Sequence, residues 1–144
     1  MPDGFGPAAP IFRVADLKAS LDYYVNVLGF NVDWATDEGL ASVSRDRCCI
    51  FLCQGDQSNT GMWAWIGCGD ADALFEEYRQ KGARVRQPPT NFWWACEMQV
   101  ADLDGNVIRL GSEPKKDQPY GPWLDSRHRL WKQNTDNSWT TDDE

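Results

Sequence analysis

The sequence predicts an α+β fold of tandem βαβββ units, whose strands form a curved mixed sheet around a cleft, with the helices on the outer face. A strand-like segment, a segment with helical periodicity and three more strand-like segments follow one another, and the same order then recurs. Each helical segment ends at a glycine, and residues 28–30 have their counterpart at residues 81–83, which lie 53 residues later. Because the helices cover only one face of a sheet, the other face is left to line a cleft.

The first unit is predicted at residues 8–57. Residues 8–15 alternate as a strand does, and Asp16 then stands in the N-cap position of a helix. Apolar residues recur at helical spacing until Gly29, which is typical of a helix C-terminus. Three strand-like segments follow, at residues 30–35, 40–44 and 48–53.

The second unit, predicted at residues 58–111, repeats this order. Residues 61–68 predict a strand, and residues 70–81 predict a helix that Gly82 ends. The three remaining strands are expected at residues 83–85, 95–101 and 107–110.

Residues 112–144 differ from both units, because polar residues, glycine and proline predominate there. Their composition predicts an irregular tail and favours disorder. Trp123, Trp131 and Trp139 nevertheless recur in the tail at eight-residue steps. We favour a tail that these tryptophans attach to the body or to a partner subunit, since exposed tryptophans lower solubility.

Composition excludes several classes of protein. The 144 residues include 22 acidic and 14 basic ones, for a net charge of −8, whereas nucleic-acid binding needs a basic surface. The length fits one domain, or two small halves that share a core. No apolar run approaches the roughly 20 residues that span a bilayer, so we expect no membrane association. The five cysteines form no CxxC pair and the first ten residues lack a secretion signal, so we expect a cytoplasmic protein.

Three stretches resemble motifs of the vicinal oxygen chelate superfamily, which contains glyoxalases, bleomycin-resistance proteins and dioxygenases. They are VADLKASLDYYVNVLGF (14–30), CGDADALFEEYRQKGARV (68–85) and VADLDGNVIRL (100–110). A pattern common among bleomycin-resistance-like members is matched by Trp93, Glu97, Val100, Asp102, Asp104, Gly105 and Asn106. Departures from that pattern occur at Trp94, Cys96, Met98 and Leu103.

The resemblance also indicates where a metal would bind. In the metalloenzymes of the superfamily, four strand positions supply His and Glu ligands, and the resemblance places these positions at Ala9, Phe51, Trp63 and Arg109. A methyl group, two aromatic rings and a guanidinium cannot coordinate a metal ion. The sole histidine, His128, lies in the tail. We therefore expect no metal site and no cofactor.

Strand alternation indicates which side chains face the cleft. Trp63 and Trp65 fall on one face of their strand, and the other face carries the small and apolar residues that a helix-covered surface needs. The predicted ligand site comprises Phe51, Trp63, Trp65, Trp93, Glu97 and Arg109. Such an aromatic floor suits a flat or cationic ligand. Two alternatives stay open: the tryptophans fill the cleft as a packed core, and Arg109 serves only to pair with Glu97.

The resulting expectation is a metal-free binding protein that resembles the bleomycin-resistance branch. It would be a homodimer that sequesters a bulky aromatic or cationic small molecule. No catalytic residue is assigned, because the sequence shows no Ser-His-Asp or Cys-His arrangement. An isomerase or lyase that uses Glu97 and Arg109 for acid–base chemistry without a metal is the alternative. A module that binds protein through its tryptophan-rich tail is a third hypothesis.

Overall fold

Two βαβββ units follow one another along the chain, as the sequence predicts. The computed structural model describes residues 4–124, 127, 129–134 and 138–141. The first unit consists of β1 (Ile11–Arg13), α1 (Leu17–Asn26), β2 (Asn31–Ala35), β3 (Leu40–Arg45) and β4 (Cys48–Cys53). The second consists of β5 (Trp63–Gly67), α2 (Ala71–Gln80), β6 (Arg84–Asn91), β7 (Cys96–Ala101) and β8 (Val107–Ser112).

Each unit forms a mixed four-stranded sheet, and both sheets have the same topology. The strand orders are β1-β4-β3-β2 and β5-β8-β7-β6. The first pair in each order is parallel and the others are antiparallel. The matching topology confirms the predicted α+β fold of tandem units. It also makes β5 an edge strand, which pairs only with β8 among the strands that the structure describes.

Both helices begin and end where the sequence predicts. The Asp16 carboxylate caps α1 and the Asp70 carboxylate caps α2, and each accepts a hydrogen bond from the backbone N–H three residues later, at 3.2 and 3.1 Å. The glycines that follow the helices adopt the left-handed conformation that a helix C-terminus favours, with φ of +78° at Gly29 and +76° at Gly82.

The helix-covered faces of the two sheets share one apolar core. The Tyr78 hydroxyl of α2 donates to the Leu28 carbonyl at 2.8 Å, and Arg45 of β3 forms an ion pair with Glu77 of α2 at 2.7 Å. The sheet faces that carry no helix therefore lie on opposite sides of this core, and we call them the open faces. Buried residues from both units form the core, among them Phe12, Tyr24, Val43, Ile50, Met98, Val100 and Ile108.

The turn between β7 and β8 joins the second unit to the first. Asn106 is fully buried, and its side chain donates to the Arg13 carbonyl and accepts from the Met62 N–H, both at 3.0 Å. Asp102 accepts the Tyr24 hydroxyl at 3.0 Å. Burial raises the pKa of Asp102, although hydrogen bonds, that from the Asn106 side chain foremost, partly oppose this effect. The motif that the sequence shares with bleomycin-resistance-like proteins therefore has a structural role here.

Strand β6 is longer than predicted. It continues to Asn91 through Pro88 and Pro89, whereas the sequence predicts only residues 83–85. The pairing register with β7 shifts between Gln87 and Thr90, where the prolines lie. Since β6 is an edge strand, the missing proline N–H groups are tolerated there.

The tail is irregular at residues 113–122, as its composition predicts, but the described residues beyond them include strands that the sequence did not predict. Three short strands, β9 (Trp123–Leu124), β10 (Leu130–Gln133) and β11 (Trp139–Thr141), form an antiparallel sheet of order β11-β10-β9. Trp123 and Trp131 are direct cross-strand partners, whereas Trp139 is the partner of Gln133, so hairpin register accounts for the first eight-residue step only. His128 lies outside the described residues.

The start of the tail is attached to β6 through amide groups. The Asn91 side chain accepts from the Lys115 N–H at 2.7 Å and donates to the carbonyls of Lys115 and Gln118 at 2.8 and 3.1 Å. The Gln87 side chain donates to the Pro122 carbonyl at 2.8 Å. These hydrogen bonds hold residues 115–122 along the edge of the second sheet. No helix in the described part of the chain is long and apolar enough to cross a membrane.

Candidate ligand-binding site

A buried carboxylate on the open face of the second sheet accepts hydrogen bonds from three side chains. Glu97 is 2% exposed, and its Oε1 accepts the indole N–H groups of Trp65 at 2.7 Å and of Trp94 at 2.8 Å. Arg109 donates to Glu97 from Nε at 3.1 Å and from Nη2 at 3.0 and 3.1 Å. A carboxylate buried this deeply needs such donors. We call these four side chains the Glu97 cluster.

Strand register places three members of the Glu97 cluster side by side. Trp65 is the direct partner of Arg109, and Glu97 is the partner of Gly111, two residues further along β8. Because side chains alternate between the two faces of a strand, Trp65, Glu97 and Arg109 share the open face. Their neighbours, such as Leu110, face the core.

The Trp65 indole is held in place by contact with the backbone below the ring and by the hydrogen bond of its N–H group. A Cβ atom added at Gly111 would lie 2.9 Å from Trp65 Cζ2, so the ring occupies the space that this glycine leaves. A Cβ atom added at Gly67 would also lie in contact range, 3.6 Å from the ring. Trp65 nevertheless remains 54% exposed. The ring is therefore a fixed aromatic surface and not part of a packed core.

Trp63 lies on the same face but is partly covered. The Arg86 guanidinium stands 5.0 Å from the centroid of the Trp63 ring, within the range of a cation–π interaction. Arg86 also donates a hydrogen bond to the Gln99 side-chain oxygen. The alternation predicted for Trp63 and Trp65 is thus confirmed, since Ala64 and Ile66 on the other face pack against the core.

Three of the six predicted site residues are brought into direct contact, namely Trp65, Glu97 and Arg109. The ion pair between Arg109 and Glu97, which the sequence left as an alternative, is present at 3.0 Å. It coexists with an exposed aromatic surface.

Besides Trp63, two more predicted residues, Trp93 and Phe51, lie apart from the Glu97 carboxylate. Trp93 belongs to the turn between β6 and β7 and not to a strand, and it contacts Trp94 edge to face with ring centroids 5.4 Å apart. Phe51 lies on the open face of the first sheet, where its ring contacts Trp34 at 5.4 Å. The prediction lined one cleft with strands of both units, whereas the helix-covered faces pack against each other. One chain therefore does not bring Phe51 to the Glu97 cluster.

Sequence reasoning missed Trp94 and Arg86. Trp94 stands where the bleomycin-resistance-like pattern has a glycine, and it stacks on Phe92 with ring centroids 4.6 Å apart. This departure from the pattern could have pointed to Trp94, because a tryptophan in place of glycine adds an indole N–H donor close to Glu97 in the sequence. Arg86 gave no signal, since the predicted strand ended at residue 85.

An open groove of about 1480 Å³ leads from the junction of the two units to Trp65. Residues from both faces of β5 line it, so the groove passes the free edge of this strand. Of the six predicted residues, only Trp65 borders it. Its wall includes Arg45, Cys48, Ile66, Leu74, Tyr78 and Trp94.

Comparison with known families agrees with this fold. The sequence model of the Glyoxalase/Bleomycin resistance protein/Dioxygenase superfamily matches residues 6–110. The chain belongs to this superfamily. A search of curated proteins finds no match to this superfamily member.

Solved structures of similar fold include proteins whose names state a ligand. A bleomycin-binding protein from bleomycin-producing Streptomyces verticillus, complexed with copper(II)-bleomycin, is 24% identical, with a TM-score of 0.63 over 76% of this chain and 97% of the other. The antibiotic binding protein TnmS3 from Streptomyces sp. CB03234 gives the same four values. TioX from Micromonospora sp. ML1 is 18% identical, with a TM-score of 0.63 over 75% and 99% of the two chains. At these identities the likeness establishes the fold.

The positions that hold metal in superfamily metalloenzymes are dispersed here. Ala9 precedes β1, Phe51 lies on the first sheet, and Trp63 and Arg109 lie on the second. Within the described residues, no group of three or more His, Cys, Asp or Glu side chains could hold a metal ion. Burial raises the pKa of the Cys48, Cys68 and Cys96 thiols, which disfavours the reactive thiolate.

Proposed function

We propose that this superfamily member binds a bulky aromatic small molecule without a metal, on the open face of the second sheet. The observation that carries the proposal is the exposed but immobilised Trp65 ring in the Glu97 cluster. An aromatic surface that is fixed before a ligand arrives loses little conformational entropy on binding. The fold likeness to a bleomycin-binding protein and to an antibiotic binding protein supports sequestration as the role, as in antibiotic resistance.

The sequence left two ligand types open, aromatic and cationic, and the geometry favours the aromatic one. An ion pair with a cationic ligand would need an accessible carboxylate, but Glu97 is 2% exposed and already accepts hydrogen bonds from Trp65, Trp94 and Arg109. The hydrogen bonds that Glu97 already accepts also argue against the enzymatic alternative, in which Glu97 acts as an acid or base. A general base must reach the proton it removes, and Glu97 is enclosed by its donors.

We also propose that the protein is a homodimer. Trp34 on one open face is 42% exposed and Trp65 on the other is 54% exposed, and such surfaces are typical of interfaces and binding sites. A second copy that covered the Glu97 cluster with its first sheet would bring Phe51 to the ligand site. Sedimentation velocity at micromolar concentration should then give a dimer. A stable monomer would contradict this proposal.

The cytoplasm is the proposed location. All five cysteines lie within the described residues and all are free thiols. Free thiols persist in a reducing compartment.

Ligand binding can be tested by titrating tryptophan fluorescence with a panel of planar aromatic compounds, cationic ones included. Binding should quench the emission of the wild-type protein, and Trp65→Leu should weaken the affinity by about tenfold or more, the value of one well-packed aromatic contact. Phe5→Leu is the matched control, because Phe5 is a fully exposed aromatic residue outside the sheets. An unchanged spectrum across the panel, or equal affinities of the Trp65→Leu variant and the wild type, would rule out this site.

A further inference from the structure

The ion pair of the Glu97 cluster exposes its positive end. The Glu97 side chain is 2% exposed, whereas that of Arg109 is 29% exposed. A ligand that approaches the open face therefore meets a guanidinium and not a carboxylate. The net negative charge of the chain has little effect on a ligand at this position. The guanidinium is close to the ligand, whereas salt screens the charges of distant residues.

Arg109 retains hydrogen-bond donors that the protein does not use. Its Nε and Nη2 atoms donate to Glu97, whereas Nη1 makes no hydrogen bond to any residue that the structure describes. Nη1 and Nη2 form one edge of the guanidinium, and Nη1 supplies the unused donors on that edge. That edge matches the two oxygens of a carboxylate or a similar anionic group.

The free edge of Arg109 and the exposed ring of Trp65 lie beside each other. The two residues are direct partners in neighbouring parallel strands, which lie about 4.8 Å apart. A planar molecule stacked on the Trp65 ring can therefore extend a substituent to the guanidinium. Because Glu97 fixes both side chains, the stacking surface and the anion-binding edge are preorganised with respect to each other.

We propose that the ligand is a planar aromatic compound that carries an anionic oxygen group, with the ring on Trp65 and the anion on Arg109. This inference rests on the proposed function and specifies the chemistry of its ligand. A cationic aromatic compound would place like charges together at Arg109. The net charge of −8 would by itself favour a ligand of the opposite, positive charge.

Three probes of equal ring size test the proposal in the full-length chain, with affinities measured by isothermal titration calorimetry. They are anthracene-2-carboxylate, its neutral methyl ester and 2-(aminomethyl)anthracene, which is a cation at pH 7. The carboxylate should bind about tenfold or more tightly than either of the others, as a charge-assisted bidentate pair implies. Raising the salt concentration should reduce this preference and leave the affinity of the ester unchanged.

Variants assign the preference to Arg109. Arg109→Gln should remove the preference for the carboxylate, and Arg109→Lys should reduce it, because lysine keeps the charge but lacks the planar edge. Arg79→Gln is the charge-matched control, since Arg79 is exposed on α2 and pairs with Glu76. Urea unfolding of each variant establishes that it is folded. If Arg109→Gln fails to fold, the order of the three affinities in the wild-type protein still decides whether the site prefers an anion.

The possible outcomes separate the two proposals. If none of the probes binds, both the proposed function and this inference are wrong. If all three bind with equal affinity, or if the cation binds best, the protein binds aromatic ligands but Arg109 does not select an anion. A carboxylate preference that survives in Arg109→Gln would equally overturn the inference.

Discussion

Replacing Glu97 by glutamine should lower the free energy of unfolding by about 3 kcal/mol, the lower part of the range for breaking a buried ion pair. The lower part applies because Arg109 is 29% exposed, so water partly solvates the guanidinium left without its partner. Glutamine has nearly the size of glutamate, so the cost is not that of a cavity. Its carbonyl can still accept the Trp65 N–H, but its amide group then faces Arg109 as a second donor.

Urea unfolding at pH 7, followed by far-UV circular dichroism, measures this cost in a double-mutant cycle. Arg109→Met leaves the buried Glu97 carboxylate with only its indole donors, and we expect a similar loss of about 2–3 kcal/mol. The double variant removes both charges and should cost less than the sum of the single variants by about 1–3 kcal/mol. A cost of Glu97→Gln below about 1 kcal/mol, or strict additivity, would refute the reasoning.

Three further predictions concern other contacts. The Arg45 guanidinium lowers the pKa of Glu77, so their ion pair stabilises the fold above the ordinary pKa of 4.5 and is lost as the pH falls below it. Glu77→Gln should therefore cost about 0.5–1 kcal/mol at pH 7 and less at pH 3 in urea unfolding, whereas an equal cost at both values would contradict the pairing. Gly111→Ala should displace the Trp65 ring and weaken aromatic binding in fluorescence titration, because the new Cβ would lie 2.9 Å from the ring; unchanged affinity would show that the ring tolerates the methyl group. Asn91→Ala should release the start of the tail, so that limited proteolysis cuts residues 115–122 faster while the sheets keep their circular dichroism; equal cleavage rates would show that other contacts hold the tail.

The repeated units were predictable because local signals define them. The capping aspartates Asp16 and Asp70 and the terminal glycines Gly29 and Gly82 mark both helices, and strand alternation sorts the flanking residues into two faces. How the two units pack on each other was not predictable from periodicity. Each unit has an apolar face on the side that its helix covers. The pattern of apolar residues is therefore the same whether the units lie side by side or share a core.

The candidate site was predictable where it depends on strand parity. Parity correctly placed Trp65, Glu97 and Arg109 on one face, because they lie on regular strands. It failed for Trp93, which lies in a turn, where side chains follow no period of two. The short strands of the tail were missed for a related reason. Its polarity suggested disorder, yet cross-strand pairs such as Trp123 and Trp131 form a small sheet that needs no continuous apolar run.

The Glu97 cluster explains how an indole can be exposed and immobile together. Burying the Glu97 carboxylate is unfavourable unless donors surround it, and Trp65, Trp94 and Arg109 are those donors. The hydrogen bond serves both partners: the Trp65 N–H stabilises the buried carboxylate, and the carboxylate fixes the orientation of the Trp65 ring. A ligand that stacked on Trp65 would exclude water from the cluster and strengthen its electrostatic interactions. The ion pair and the aromatic surface are therefore one structural unit, and a change to either is expected to alter the other.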